Sequence, residues 1–257
     1  MDTHSNIDEV LTKVPAVTLG FWIIKILATT FGETAGDWFT MTLDFGYLAG
    51  TALFGAILVL LVVAQIRARD FQPALYWATI IASTTVGTTL ADLATRTGGL
   101  GYPLGSLLLL GLVLASLVAW HMALGTISVS SVHEGRTEIF YWITITFSQT
   151  LGTALGDWVA DSGPGYIGAA IIFGTFLAAL ALAYRFTALS RVGLFWAAFV
   201  LTRPLGAVVG DFLDKPIAKG GLELSRGAAS LGLIVAIAAL LWLVPQRAGR
   251  AVVRADA

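Results

Sequence analysis

Two kinds of apolar segment alternate along this chain. The first kind lies at about residues 47–66, 102–120, 166–184 and 226–244, and is apolar throughout, with a charge only at its edge. Each is close to the ~20 residues needed to cross a bilayer. The second kind is apolar but carries polar residues at fixed places: "FWIIKILATTFGETAGDW" from Phe21, "YWATIIASTTVGTTLADL" from Tyr76, "YWITITFSQTLGTALGDW" from Tyr141 and "FWAAFVLTRPLGAVVGDF" from Phe195. The pattern predicts eight transmembrane helices, the polar-striped kind at odd positions and the plain kind at even ones.

The four striped segments align without a gap. Each has an aromatic residue, then Trp, then Gly eleven residues after the aromatic and Asp sixteen after it. Agreement in all four columns implies duplication of a two-helix unit, with repeats at about 21–66, 76–120, 141–184 and 195–244. Two spans per unit return the chain to its starting side, so the units are parallel and not inverted. The Asp-to-Asp spacings are 55, 65 and 54 residues. The longer middle spacing predicts two halves of two units each. The expected fold is an all-α polytopic membrane protein, pseudo-two-fold and loosely four-fold about the membrane normal. A single domain spans 13–245, between a polar tail at 1–12 and a basic tail at 246–257.

Composition narrows the function. The chain is 57% hydrophobic and 12% charged, where a soluble domain carries about 25% charge. A net charge of −1 gives no basic face for nucleic acid. With no cysteine, disulfides, thiolate metal sites and cysteine nucleophiles are excluded. The polar start "MDTHSNIDEV" lacks the build of a signal peptide. Basic residues number nine on one side (Lys13, Arg67, Arg69, Arg136, Arg185, Arg191, Arg247, Arg250, Arg254) and four on the other (Arg96, Lys215, Lys219, Arg226). By the positive-inside rule both termini are expected on the cytoplasmic side of the membrane. The aromatic–Trp pairs then fall toward the cytoplasmic side, where interfacial anchoring is the simplest expectation.

Gly32, Gly87, Gly152 and Gly206 are followed four residues later by Gly36, Ala91, Gly156 and Gly210. Small residues at this spacing let membrane helices pack closely. Packing does not require Asp37, Asp92, Asp157 and Asp211, which follow at once. Steps of four residues place Glu33, Thr29 and Lys25 on the face of Asp37, and Thr88 and Thr84 on that of Asp92. They likewise place Thr153 and Gln149 with Asp157, and Ala207 and Arg203 with Asp211. Such stripes must face a bundle interior or water. Four odd helices at the centre, with four even helices outside, satisfy this.

The stripes hold five acids (Glu33, Asp37, Asp92, Asp157, Asp211) and two bases (Lys25, Arg203). Gathered together, the acids must be protonated or hold a cation. Thr29, Thr84, Thr88, Gln149 and Thr153 add neutral oxygens to a polar pathway. An all-oxygen set suits Mg²⁺, Ca²⁺ or Mn²⁺. Lys25 and Arg203 read either as charge partners or as tethered counter-charges that replace a departed cation. Asp44, Asp161, Asp214 and Glu223 read as solvated loop acids. His4, His121 and His133 do not face one another across helices, so haem is not expected, nor any other cofactor. Ser83 and Ser148 lack a nearby base, and no enzyme is expected.

"KVPAVTLGFWIIKILATTFGETAGDW" resembles the opening of a bacterial family of multi-span, membrane-anchored proteins, and the resemblance extends over about residues 13–245. It implies a membrane protein and supplies no activity. "ETAGD" is also chemically similar to the E-x-G-D signature of calcium/manganese–proton exchangers, but its acids are one residue further apart and the repeats here are parallel. The expected function is export of a divalent, Mn²⁺-like cation in exchange for protons. A cation channel, a non-transporting scaffold or sensor, and a membrane enzyme on a lipid-linked substrate are the alternatives. The expected partners are the bilayer, the cation and protons, with the oligomeric state open.

Overall fold

The structure, a computed structural model, describes residues 7–133 and 135–254, with side chains described over 11–133 and 135–250. Its helices follow the alternation in the sequence. They are α1 (Leu19–Asp37), α2 (Gly46–Arg67), α3 (Pro73–Asp92), α4 (Gly101–Leu124), α5 (Gly135–Asp161), α6 (Gly165–Phe186), α7 (Arg191–Asp214) and α8 (Arg226–Leu243). Caps mark several starts: the Thr18, Ser190 and Ser225 hydroxyls accept from the N–H groups of Phe21, Gly193 and Ala228, and α3 begins on Pro73. In the first three units the odd-to-even turn holds two residues at positive φ. Asp44, Gly99 and Gly163 take the first place, and Gly46, Gly101 and Gly165 the second, at φ 75°, 67° and 65°. Among the described residues, five helices, α2, α4, α6, α7 and α8, are long and apolar enough to cross a membrane. Helices α1, α3 and α5 are diluted by the polar stripe.

Packing runs in a closed cycle. Helix α1 lies against α3, α3 against α5, α5 against α7, and α7 against α1. Each even helix packs mainly on the odd helix of the following unit: α2 on α3, α4 on α5, α6 on α7 and α8 on α1. The even helices stay on the outside, with 11–22% of their apolar windows buried, against 56% for α7. Side-chain burial thus separates a polar-striped core from an apolar sheath.

The repeated glycines set the spacing of the core. A Cβ on Gly32 would strike Thr84, one on Gly87 would strike Gln149, one on Gly152 would strike Arg203, and one on Gly206 would strike Thr29. In each case the glycine of one unit receives the stripe residue of the next. Close approach, not backbone conformation, requires glycine there.

Two features depart from expectation. The first is the aromatic–Trp pairs, which pack on one another inside the bundle, with only Trp22 and Phe195 among the eight rings half-buried. Phe21, Tyr76, Trp77, Tyr141, Trp142 and Trp196 are all buried. Each first aromatic meets the Trp of the next unit: Phe21–Trp77 at 5.5 Å, Tyr76–Trp142 at 5.7 Å, Tyr141–Trp196 at 6.3 Å and Phe195–Trp22 at 5.7 Å between ring centroids. The Tyr76 and Tyr141 hydroxyls bond to each other at 2.6 Å inside this collar. Rings on closely packed helices gain more from burying against one another than from an interface position.

The second departure is a small sheet, so the fold is not all-α. Strand β1 (Ile7–Pro15) pairs antiparallel with β2 (Ala248–Arg254). The segments expected to be tails therefore form a ribbon across one end of the bundle. Lys13 pins it there: its ammonium lies 2.6 Å from Glu138 Oε1 and donates to the Ile66 carbonyl at 3.2 Å. Strand pairing over such a distance in sequence leaves no local periodic signal. The ends of the bundle are called the ribbon end and the acid end below. His4 lies outside the described residues.

Candidate functional site

Each odd helix starts near the ribbon end, so its Asp, sixteen residues after the collar aromatic, arrives at the opposite end. After Asp37 and Asp92 the helices loosen into π-helical turns, Trp38–Thr42 and Leu93–Thr97. The stripes face the centre: Glu33, Asp37, Asp92, Asp157 and Asp211 are each at most 4% exposed. Three of these acids meet directly. Carboxylate oxygens of Glu33, Asp157 and Asp211 lie within 4.8 Å of one another, and so do those of Asp37, Asp211 and Asp214. Asp214, expected to be a solvated loop acid, is buried at the end of α7, and its carboxylate accepts from Arg226 at 3.1 Å.

Two bases outside the repeat columns organise this layer, and the sequence reading missed both. Arg96 Nε lies 2.6 Å from Asp92 Oδ1, and Arg96 Nη2 donates to Asp157 at 2.9 Å. The first contact is one of charge and not an aligned hydrogen bond. Lys215 joins Asp37 at 2.7 Å to Asp211 at 2.9 Å. Each base stands four residues after the Asp of its own unit and reaches the Asp of the next. That i, i+4 spacing was available as a signal, but both residues read as loop charges. Burial pulls the Lys215 ammonium toward its neutral form. The carboxylates of Asp211, Asp37 and Asp214 outweigh that and hold its pKa above the usual lysine value.

With Asp214 joining the five acids, and Arg96, Lys215 and Arg226 joining Arg203, the acid layer holds four bases against six acids. Some oxygens remain open. Asp37 Oδ1 and Asp92 Oδ2 have no hydrogen-bond partner among the described residues.

One turn deeper, Arg203 is fully buried. Both terminal nitrogens lie 3.1 Å from Glu33 Oε2, and Nη2 donates to Thr88 Oγ1 at 2.6 Å and to the Thr153 hydroxyl. The Arg203 Nη1 and Nη2 groups also point at the Thr29 and Thr84 carbonyls, at 3.5 and 3.4 Å. The predicted polar residues Thr88 and Thr153 thus hold the Glu33–Arg203 pair. Thr29 and Thr84 instead pack against Gly206 and Gly32. Gln149 is buried against Gly87, and neither its amide nitrogen nor its oxygen has a partner among the described residues. Lys25 stands apart from the acids. It donates to Thr202 Oγ1 at 2.7 Å and the Phe199 carbonyl at 3.1 Å, with its ammonium 3.8 Å from the Phe199 ring centre. Two oxygen dipoles and a ring face surround this nitrogen in place of a carboxylate.

The family described as Repeat of Unknown Function (DUF347) matches residues 20–71, 75–126, 140–189 and 194–247. The chain belongs to this family, and its four matches coincide with the four units derived above. No curated protein and no solved structure matches the chain.

Proposed function

We propose that this four-repeat DUF347 protein is an eight-span membrane transporter that moves a divalent, Mn²⁺-like cation outward in exchange for protons. Its termini are cytoplasmic and the acid end faces outward, in a bacterial inner membrane, as the nine-to-four division of Lys and Arg supports. The observation that carries the reading is the approach of Glu33, Asp157 and Asp211 to within 4.8 Å of one another. Arg203, Arg96 and Lys215 stand beside these three carboxylates, but the last two are shared with Asp92 and Asp37, so an excess of acid remains that a proton or a cation would neutralise. A proton-loaded and a cation-loaded state are then mutually exclusive, which is the chemistry of exchange. Oxygen donors alone favour a hard cation.

Two further features support a carrier over an open channel. The collar and the ribbon close one end of the bundle. The bridging bases belong to the second and fourth units only, which fits two halves related by a pseudo-two-fold axis along the membrane normal. Purified protein in proteoliposomes tests the reading. Wild type is expected to accumulate Mn²⁺ with matching proton movement, and Glu33→Gln and Asp211→Asn to abolish both. Vesicles that move neither Mn²⁺, Ca²⁺ nor Mg²⁺ under any gradient would overturn it. One observation favours a second reading, a non-transporting scaffold: each repeated Asp has a base beside it, as helix glue would. A scaffold predicts no thermal shift with any metal.

A further inference from the structure

A crevice of about 640 Å³ opens on the flank of the bundle, where α6 and α7 meet α1. Its walls are apolar, with Trp22, Ile26, Leu177, Phe195 and Ala198 among them. Along α7 it runs from Arg191 to Thr202. At 1.5 Å per residue that is a depth of about 16 Å, close to half of a ~30 Å hydrocarbon core. The crevice therefore has the length of one leaflet's acyl chain.

Its rim is electropositive. Arg191 is exposed, and its guanidinium stacks 4.4 Å from the Tyr184 ring centre. One terminal nitrogen, Nη1, donates to the Tyr184 carbonyl at the end of α6. That bond and the stacking hold the guanidinium at the exposed rim. The N-termini of α1 and α7 reach the same rim through Thr18, Leu19 and Arg191, and helix N-termini favour anions. Among the described residues, no acid lines the crevice.

We infer that this crevice binds an anionic phospholipid of the leaflet on the ribbon side, with an acyl chain between α1, α6 and α7 and its phosphate on Arg191. The inference requires only that the helices sit in a bilayer, and it stands apart from the transport reading. A zwitterionic lipid would fill the same slot, but its headgroup would bring no net charge to the rim. The inner end of the slot is Thr202, whose hydroxyl accepts from Lys25 at 2.7 Å. The bound chain would end beside the residue that holds the buried lysine.

Native mass spectrometry of delipidated protein tests this with phosphatidylglycerol and phosphatidylcholine of identical chains. Wild type is expected to retain phosphatidylglycerol about fivefold more tightly, the ratio one interfacial arginine supplies. Arg191→Gln should bring phosphatidylglycerol down to the phosphatidylcholine level. Ala198→Trp, which fills the slot, should weaken both lipids. Equal binding of the two lipids by wild type, or a preference that survives Arg191→Gln, would overturn the site. A phosphatidylglycerol with a photoreactive acyl chain checks the place without any substitution: label should appear in 17–26 or 177–202, and label confined to other segments would refute it.

Discussion

The collar and the acid layer are built by the same four units, sixteen residues apart on the same helices, yet they behave differently. In the collar every unit does the same thing: its first aromatic meets the next unit's Trp. In the acid layer the four Asp repeat, but their partners do not. Arg96 serves Asp92 and Asp157, while Lys215 serves Asp37 and Asp211. Apolar packing tolerates repetition, because each ring buries against another ring. Four identical carboxylates facing one another repel, so the units diverge in the bases they add. The repeated columns therefore build the frame, and the non-repeated residues carry the electrostatics.

The largest effect should come from breaking the frame where both layers depend on it. Gly152→Val would drive a branched side chain into Arg203. Overpacking ordinarily costs about 1–3 kcal/mol, and here it also displaces a buried charge from its partners. Loss of monodisperse protein on size-exclusion chromatography is expected. Gly111→Val, where nothing lies within 4 Å of the added Cβ, should elute like wild type.

Next comes the charge pair between the layers. Glu33→Gln leaves Arg203 buried without a full negative partner, a change worth about 3–5 kcal/mol. Thermal unfolding should fall steeply. Adding Arg203→Met should recover much of the loss, because the orphaned charge leaves too. A double variant as unstable as the two single losses combined would mean that the residues act independently.

A smaller change is expected at the acid end. Lys215→Met removes the bridge between Asp37 and Asp211, and Mn²⁺ should then raise the unfolding temperature more than it does in wild type. The wild-type advantage in metal-free buffer should also depend on pH in a set direction. The folded pKa of Lys215 is raised above its unfolded value of ~10.4. The bridge's contribution is thus fully present below roughly pH 10 and fades only as pH climbs through the folded value. An advantage that vanishes between roughly pH 8 and pH 9 would contradict this pairing.

The smallest effect belongs to the collar. Tyr141→Phe deletes the bond to Tyr76 and keeps both rings, so destabilisation of about 1 kcal/mol is expected. Tyr76→Phe in the same background should add little, since the bond is already gone. A large second loss would show that the Tyr76 hydroxyl has another partner.

The sequence by itself determined the two-helix unit, the polar stripe and the small-residue spacing, because each is written in local periodicity that a helix converts directly into a face. It located Glu33 and the four Asp on those faces, and Thr88 and Thr153 beside them. It did not determine which surfaces the rings, loop bases and termini would meet. Trp77 could have faced lipid headgroups as well as Phe21. Lys215 could have been solvated as well as set between two carboxylates. Residues 7–15 carry nothing that names 248–254 as their partner. Only the closed packing of the odd helices decided these. It brings residues distant in sequence within a few ångströms, where charge and ring contacts outweigh each residue's own preference for water or interface.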